Sequence, residues 1–569
     1  MKKTIYISAL AVMASAMAGC NSFLDDNRYP LTSETDSPLF WSETSNCDLE
    51  ADYMYNYFSG YGQGNTLGSY YFSTLSDDQA PASFPNWNNT SVPASSSNWN
   101  SPYERIRHAM YIIKGVESSS LSDTDKGHYI GIARMNRAYQ FWTLVKMYGD
   151  VTWVDDLVEV DSEVLYGPRT NRDLVMDYVV EDLDYAIANI KTENGKQVWS
   201  KDLARAIKSD VCLYEGTFCK YRTLADNGYA ADPDRATRYL NLCAEVSKTL
   251  LENYPTLSDS YRAIYNSSFD EAKANPEIIF MKGYPVNILM HSTVAYTCSS
   301  TTISGITKDA FDNYLFIDGN PLESTSCDKS DVGEVDEDGN YSIQKLLDVR
   351  DGRLAQTTDP CVYYTGMTWV RDGSMALTSS TGYGVSKFDN TSMPLSNRTQ
   401  TTQNITTCPI YWASLICCNY AEAKAELGTI TDADLDLTIN KLYARAGLPS
   451  VTVSSLSAIN DKANNMGVSS LLWEIRRNRR CELIMDKDYR YYDLVRWHQL
   501  ELLDNNLHPN IFLGANMTAA PVSIDNVNGY VSPNYSGLNR VYEARQYLYP
   551  IPSQQNTLTD NALGQNPGW

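Results

Sequence analysis

The sequence predicts a mainly α-helical protein in which a loop-rich, partly β insertion separates two helical blocks. Apolar residues recur at helical spacing between residues 101 and 252, and helical patterns return between 409 and 503. The stretch between them, 255–408, is rich in Thr, Ser, Gly and Tyr and carries only short apolar runs. Paired helices joined by short turns favour an α-solenoid-like stack.

The composition limits the classes of ligand. The chain has 569 residues, 43% of them hydrophobic, which is enough for a large core. A net charge of −23 disfavours nucleic acid as a partner and favours neutral over anionic polysaccharides, although a local basic patch could override the total charge. The 41 tyrosines supply rings that can fill a core or stack on a ligand.

Residues 1–19 are typical of a secretion signal. Two lysines precede an apolar stretch from 5 to 18, which as a helix spans about 21 Å and is too short for a hydrocarbon core of roughly 30 Å. The ending Ala18-Gly19-Cys20 resembles a bacterial lipobox. We therefore expect Cys20 to carry a lipid anchor and residues 20–37 to form a lipidated tether. The alternative is ordinary cleavage with Cys20 as a bystander.

The acidic pair Asp25-Asp26 follows closely and resembles the export signal of surface-exposed lipoproteins in the Bacteroidetes. Together with the lipobox it predicts a protein that is lipid-anchored in the outer membrane and exposed at the cell surface.

The first helical pattern runs from Pro38 to about Ser59, with proline early, as helices permit. Residues 60–102 then pass from a glycine-rich run to an Asn/Ser/Pro-rich run that carries two tryptophans. A segment of this length without regular structure is usually functional or disordered, and the tryptophans argue against plain disorder.

The prediction of helices in the first block depends on apolar stripes and on capping residues. Apolar side chains between 175 and 190 fall on one helical face, and residues 170–173 supply the caps. The preceding helix is predicted to end at Gly149, and further helices are expected at about 201–221 and 234–252.

The second block is predicted to contain helices at about 409–427, 432–446, 468–485 and 488–503, followed by a tail that is mostly loop. Short apolar runs such as 277–280 indicate small strands within the insertion.

The sequence carries no catalytic or nucleotide-binding motif of the common types. The run 336–340 (DEDGN) approaches a calcium loop but lacks its ligand spacing, so calcium is possible there and a solvated turn is the alternative. The eleven cysteines other than Cys20 are expected to be small buried hydrophobes. The basic run 476–480 is flanked by Glu474 and Glu482, which predicts internal salt bridges.

Several segments resemble one family. Residues 475–483 (IRRNRRCEL) and 489–497 (YRYYDLVRW) resemble the "IR-ERR-EL … RyyDLrRW" signature of the SusD/RagB family of Bacteroidetes outer-membrane nutrient-binding lipoproteins. The chain departs from it at Asn478, where Glu is usual, and at Asp486-Lys487, where Glu-Gly is usual. Further matches, in order along the chain, are 133–139 (ARMNRAY), 148–151 (YGDV), 419–423 (NYAEA), 439–448 (INKLYARAGL), 549–552 (YPIP) and 565–569 (QNPGW).

The resemblance implies a four-repeat, tetratricopeptide-like scaffold (a SusD-like α–α superhelix) with an elaborated loop face. It divides the chain into an N-terminal SusD-like region at 38–254 and a C-terminal SusD/RagB region at 255–569, which contains the insertion 255–408 and the helices of 409–503. It also implies no enzymatic activity, no required cofactor, a nutrient ligand, and a SusC-like TonB-dependent transporter as partner.

The candidate ligand contacts lie in loops, where the resemblance places the variable binding residues. A sugar ring has an apolar C–H face that aromatic rings can cover, while polar side chains bond its hydroxyls. The loop 70–103 offers both kinds of group, and the insertion offers further rings. The candidates are Tyr70, Tyr71, Asp77, Asp78, Trp87, Asn88 and Trp99 from the loop, and Tyr296, Tyr364 and Trp369 from the insertion.

Three functions compete at this point. The first is a surface protein that binds glycans for uptake. The second is the same scaffold binding peptides, and the third is a secreted glycosidase, for which Asp77-Asp78 is the local acidic pair. For each single aromatic candidate, packing inside the protein is the alternative role.

Overall fold

The computed structural model describes residues 38–70, 75–80, 87–159, 161–298, 305–364, 366–374, 379–522, 526–533 and 540–569. The predicted signal, the tether with Cys20, and Tyr71 lie outside the described residues.

The first helical block contains nine helices among the described residues. They are α1 Pro38–Trp41, α2 Thr44–Tyr53, α3 Ser97–Ser118, α4 Asp123–Tyr148, α5 Glu163–Tyr166, α6 Arg172–Asn189, α7 Lys201–Tyr221, α8 Leu224–Asn227 and α9 Pro233–Asn253. A 3₁₀ turn, Met54–Tyr57, follows α2. The predicted signals act as expected: Asn171 caps α6 through the N–H of Asp173, and Gly149 ends α4 at φ +72°.

The insertion is built from short elements. These are α10 Ala263–Asn266, α11 Phe269–Ala274, β1 Ile278–Lys282, α12 Ala295–Cys298, α13 Lys308–Asp312, β2 Glu334–Val335, β3 Tyr341–Ser342, α14 Gln344–Asp348, α15 Gly352–Thr357, α16 Leu395–Thr399 and β4 Cys408–Trp412.

The second helical block completes the described chain. It comprises α17 Ala413–Glu426, α18 Asp432–Leu437, α19 Ile439–Ala446, α20 Val453–Ala458, α21 Ser470–Glu482, α22 Tyr489–Arg496, 3₁₀ turns Leu500–Leu503 and Ala544–Tyr547, the hairpin β5 Asn526–Val527 with β6 Tyr530–Val531, and α23 Ser553–Leu558.

The long helices pack in one continuous array. Helix α3 packs on α4, α4 on α6, α6 on α7 and α7 on α9, and the array continues from α9 to α17 and from α17 to α21. The contact between α9 and α17 joins the two blocks although some 160 residues separate them in the chain. The predicted mainly α, solenoid-like fold is therefore confirmed.

A two-stranded antiparallel sheet forms a neck at the base of the insertion. Strand β1 pairs with β4, with Ile278 opposite Trp412 and Lys282 opposite Cys408. The loops of the insertion therefore begin at residue 283 and end at residue 407, next to each other at the end of this sheet. The prediction of a helix at 409–427 is wrong for the first four residues of that range. They belong to β4, and the helix begins at Ala413.

Two other predicted helices are shorter than expected. The segment 432–446 divides at Thr438 into α18 and α19, and the segment 488–503 leaves the α conformation after Arg496. Among the described residues, no helix combines the length and the apolar character that a membrane span requires.

The buried cysteines and the basic run behave as predicted. All eleven cysteines of the described part are free, and ten of them are buried. The arginines of 476–480 lie inside the protein and pair with internal carboxylates, among them Arg476 with Glu426 at 2.7 Å and Arg479 with Asp493 at 2.8 Å.

Candidate functional site

The acidic pair of the first loop is anchored to the signature helix α21 and its successor α22. Arg490 donates two hydrogen bonds of 2.6 Å to Asp77, and Arg480 donates one of 2.7 Å to Asp78. Thr307 donates its hydroxyl to the Asp77 carbonyl at 2.6 Å, which ties the insertion to the same point. Both carboxylates are almost fully buried, at 1% and 2% exposure.

This burial corrects the assignment of Asp77 and Asp78 as ligand contacts. Burial alone would raise the pKa of Asp77, but Arg480 and Arg490 outweigh it and hold that pKa below its usual value. Burial raises the pKa of Asp78 in spite of Arg480. Neither carboxyl group faces solvent, so the pair holds the loop in place instead of meeting a substrate.

Trp87 is likewise a packing residue and not an open platform. Its ring is 5% exposed, and its indole N–H donates to the Val541 carbonyl at 2.7 Å. Its neighbour Asn88 is exposed and donates its amide to the Tyr549 hydroxyl at 2.6 Å. The two residues therefore fasten the loop to the C-terminal segment.

Trp99 and Tyr70 are also buried. Trp99 lies in the first turn of α3 at 4% exposure and meets Tyr148 edge to face, with ring centres 4.9 Å apart. Tyr70 is fully buried and donates its hydroxyl to the Pro409 carbonyl. These rings were chosen because they are aromatic residues among small polar ones. That pattern does not distinguish rings that contact a ligand from rings that pack a loop against the core.

The insertion candidates remain at the surface. Tyr296, Tyr364 and Trp369 are each half-buried, and the Trp369 ring packs at 4.8 Å against the buried ring of Tyr363. Val370 is 43% exposed beside Trp369, and Leu395 is 48% exposed at the start of α16. Helix α16 packs against α12, which carries Tyr296. We call the set of partly or fully exposed residues Tyr296, Tyr364, Met367, Trp369, Val370 and Leu395 the Trp369 platform.

Arg371 links the segments that carry the Trp369 platform. Its guanidinium bonds Asp359 at 2.8 Å and Asp389 at 3.2 Å, and it lies 3.3 Å from the Cys298 sulfur of α12. Arg398 of α16 donates to the same Asp389 at 2.9 and 2.8 Å. One buried cluster thus joins the three segments that carry Tyr296, Trp369 and Leu395.

The charges of this cluster are mutually stabilised. Burial tends to raise the pKa of Asp389, but the hydrogen bonds and charges of Arg398 and Arg371 lower it. The platform is therefore held by ionised groups at neutral pH. Sequence inspection missed this network because its members are scattered over more than 30 residues without a helical or strand period.

The two acidic clusters that could suggest a metal site are bonded to other groups of the protein. Asp173, Glu215 and Cys219 lie close enough together to suggest a metal site, but Arg172 and Arg222 bond the two carboxylates. In the run 336–340, the Asp336 carboxylate accepts backbone N–H bonds from Asp338 and Asn340 within the β2–β3 turn. What the Trp369 platform offers is stacking and apolar contact on a rigid base.

The fold and this site define a class: a helical-repeat scaffold that supports an elaborated, aromatic-bearing loop face. Two family models match the chain. One is described as the SusD family and matches residues 291–569, and the other is described as "Starch-binding associating with outer membrane" and matches residues 39–209.

Individual relatives agree with these matches. A SusD-like protein of Bacteroides ovatus is 25% identical over 308 residues, which cover 52% of this chain and 53% of that protein, so the match spans about half the relative's length. A SusD-like carbohydrate-binding protein of Bacteroides fragilis is 20% identical, with 91% of this chain and 99% of that chain covered and a TM-score of 0.66. A laminarin-binding SusD-like protein is 16% identical, with 93% and 100% covered and a TM-score of 0.53.

The chain belongs to the SusD/RagB family. The departure at Asn478 keeps a buried partner, because its side-chain oxygen accepts a 2.9 Å bond from Arg353, which also bonds Glu482. At the second departure, Asp486 accepts bonds from Lys387 and Tyr265.

Proposed function

We propose that the protein is a cell-surface lipoprotein that binds glycans on the Trp369 platform and passes them to a SusC-like TonB-dependent transporter in the outer membrane. The observation that carries the binding role is the set of half-buried rings on a loop face braced by Arg371. A ring held at a fixed angle loses little freedom when a sugar stacks on it, so such a platform favours binding.

The family model described as starch-binding and the relative named for laminarin binding support a glycan as the ligand class. Binding without turnover fits the burial of the Asp77–Asp78 pair, which removes the local acid pair from contact with a substrate. Peptide binding on the same scaffold is the second candidate, because stacking rings also suit peptide side chains.

Trp369→Ala tests the platform. We expect glycan affinity to fall by about 5- to 30-fold, because the substitution removes one stacking ring worth roughly 1–2 kcal/mol. Calorimetry of the soluble chain 21–569, after a glycan array has identified a ligand, measures the change.

The matched control is Tyr166→Ala, which removes a 46% exposed ring from α5, outside the platform. Equal affinities for wild type and Trp369→Ala would remove the platform from the site. Binding of peptides and of no arrayed glycan would establish the second candidate in place of the first.

A further inference from the structure

A concave site lies on the helical scaffold and shares no lining residue with the Trp369 platform. It is a cleft of about 300 Å³ between the start of α3, the last turns of α4, α7 and the segment that joins α21 to α22. Its mouth is open at the exposed residues Asn98 and Asp488. The volume stands at the lower end of small-molecule sites, which suits one sugar-sized ring and excludes an oligosaccharide.

Seven of the residues that line this cleft are aromatic. The rings that line it are Tyr57, Tyr139, Trp142, Tyr214, Tyr411, Tyr489 and Tyr492. Several polar groups stand between them, including the amide of Gln140 and the hydroxyl of Thr143. This mixture of flat apolar faces and hydrogen-bonding edges is what recognition of a small polar ring requires.

Two of the five cations that line the cleft, Arg479 and Arg496, are paired with buried carboxylates. The other three, Lys146, Arg105 and Lys487, form no ion pair among the described residues. The half-buried Lys146 ammonium lies 3.9 Å from the ring centre of Trp142 and 4.5 Å from that of Tyr492. Among the described residues it forms no ion pair and no hydrogen bond. Arg105 and Lys487 also line the cleft, and neither has a carboxylate within 4 Å in the described part of the chain.

Asp210, Asp488 and Asp493 also line the cleft, but none of them forms an ion pair with Lys146. Asp210 is 5% exposed and is occupied by the Tyr489 hydroxyl and the Asn419 amide, each at 2.8 Å. Burial lowers the pKa of Lys146 to about 8 in spite of the attraction of Asp488 and Asp210, and Lys487 adds to the lowering. The ammonium therefore remains mostly charged at neutral pH without a direct anionic partner.

We propose that this cleft binds a single-ring saccharide carrying one anionic group, with the ring on the tyrosine walls and the anionic group at Lys146. A carboxylate and a phosphate present the same chemistry to an ammonium group, so a hexuronate and a sugar phosphate are the two sources. The site acts independently of the Trp369 platform, and its ligand is smaller than the glycan proposed there.

Calorimetry of the chain 21–569 with galacturonate, glucose 6-phosphate, glucose and acetate tests the proposal. We expect at least one of the anionic sugars to bind and both glucose and acetate to bind more weakly by tenfold or more. The anionic sugar that binds identifies the source. Equal binding of glucose would overturn the role of the charge, and equal binding of acetate would overturn the role of the ring.

Variants locate the binding. Lys146→Met keeps the apolar stem over Trp142 and is expected to lower the affinity by about 10- to 100-fold, the range for a hydrogen bond to a charged group. Lys146→Arg keeps the charge and is expected to recover most of the affinity. Lys248→Met on the exposed side of α9 is the matched control and is expected to bind as the wild type does.

Thermal unfolding followed by circular dichroism separates lost binding from lost folding. Affinity of Lys146→Met equal to that of the wild type would overturn the proposal, as would failure of all four probes to bind a folded wild-type chain. Trp369→Ala is expected to leave this binding unchanged, so failure here and failure of the platform remain distinguishable.

Discussion

At the scale of single residues, burial decides which polar and aromatic side chains can act on a ligand. Trp87 and Trp369 are chemically the same, yet the first bonds the Val541 carbonyl inside the protein and the second lies half-buried on the loop face. Residue type can be read from the sequence, whereas exposure depends on contacts between distant segments. The kinds of side chain at the proposed site can therefore be predicted from the sequence, whereas which of them stay exposed cannot.

His291 should make stability sensitive to acid. It is fully buried as a neutral ring: Nδ1 accepts the Thr293 N–H at 3.2 Å, and Nε2 bonds the Thr406 carbonyl at 3.1 Å. Burial lowers its pKa to about 3, against an ordinary value of 6.5. As the pH falls below 6.5 the unfolded chain takes up a proton that the folded chain refuses, so the free energy of unfolding decreases.

The expected loss from His291 between pH 7 and pH 5 is about 2 kcal/mol, at roughly 1.4 kcal/mol per pH unit below 6.5. Urea unfolding of the wild type and of His291→Gln at both pH values measures it, because other titrating groups contribute to both proteins. An equal pH dependence in the two proteins would contradict the assignment.

At the scale of elements, periodic segments were well predicted and strand pairing was not. The long helix α7 has the bounds expected for it, because its apolar face and its Ser200 cap are both local signals. Strand β4 was predicted as helix, because its partner β1 lies about 130 residues earlier and the apolar run alone does not distinguish the two states.

The contact between α17 and α22 should be the most sensitive joint of the scaffold. Arg496 donates two hydrogen bonds of 2.6 and 2.7 Å to Glu422, and the Trp497 indole adds a third. Burial tends to raise the pKa of Glu422, but Arg496 outweighs it and lowers that pKa to about 2. Glu422→Gln is expected to lower the free energy of unfolding by about 3–5 kcal/mol, because it removes the bidentate one of the two carboxylates that the buried guanidinium bonds and leaves only Asp493.

Denaturant unfolding at pH 7 checks this value. The matched control is Glu334→Gln, which breaks an exposed pair with Lys345 and should cost no more than about 1 kcal/mol. A similar small loss for both variants would show that the buried pair contributes no more than a surface one.

At the scale of the whole molecule, the sequence motifs predicted the architecture and the family. The signature runs lie in α21, α22 and the helices that contact them, and their arginines are internal scaffold residues. These arginines bond buried carboxylates, including Asp77 and Asp78 at the base of the first loop, so they do not report the ligand. The proposed ligand contacts lie in the insertion, where neither helical period nor motif spacing applies.

The cellular location is predicted from the first twenty residues. Cys20→Ala is expected to move the protein from the membrane fraction to the soluble fraction, because several acyl chains at about 0.8 kcal/mol per buried methylene would be lost. Cell fractionation followed by protease treatment of intact cells measures both attachment and surface exposure. An unchanged distribution between the fractions would mean that Cys20 is not the point of attachment.

The β1–β4 neck has a consequence for how such proteins diversify. Since residues 282 and 408 are opposite each other, the 125 residues between them form a closed excursion whose ends are already joined. Doubling the length of such an excursion adds only about 0.6 kcal/mol of closure entropy. A gene can therefore acquire, lose or exchange sequence beyond this junction while the helices beneath it keep their register, so the loop face can change without a change of scaffold.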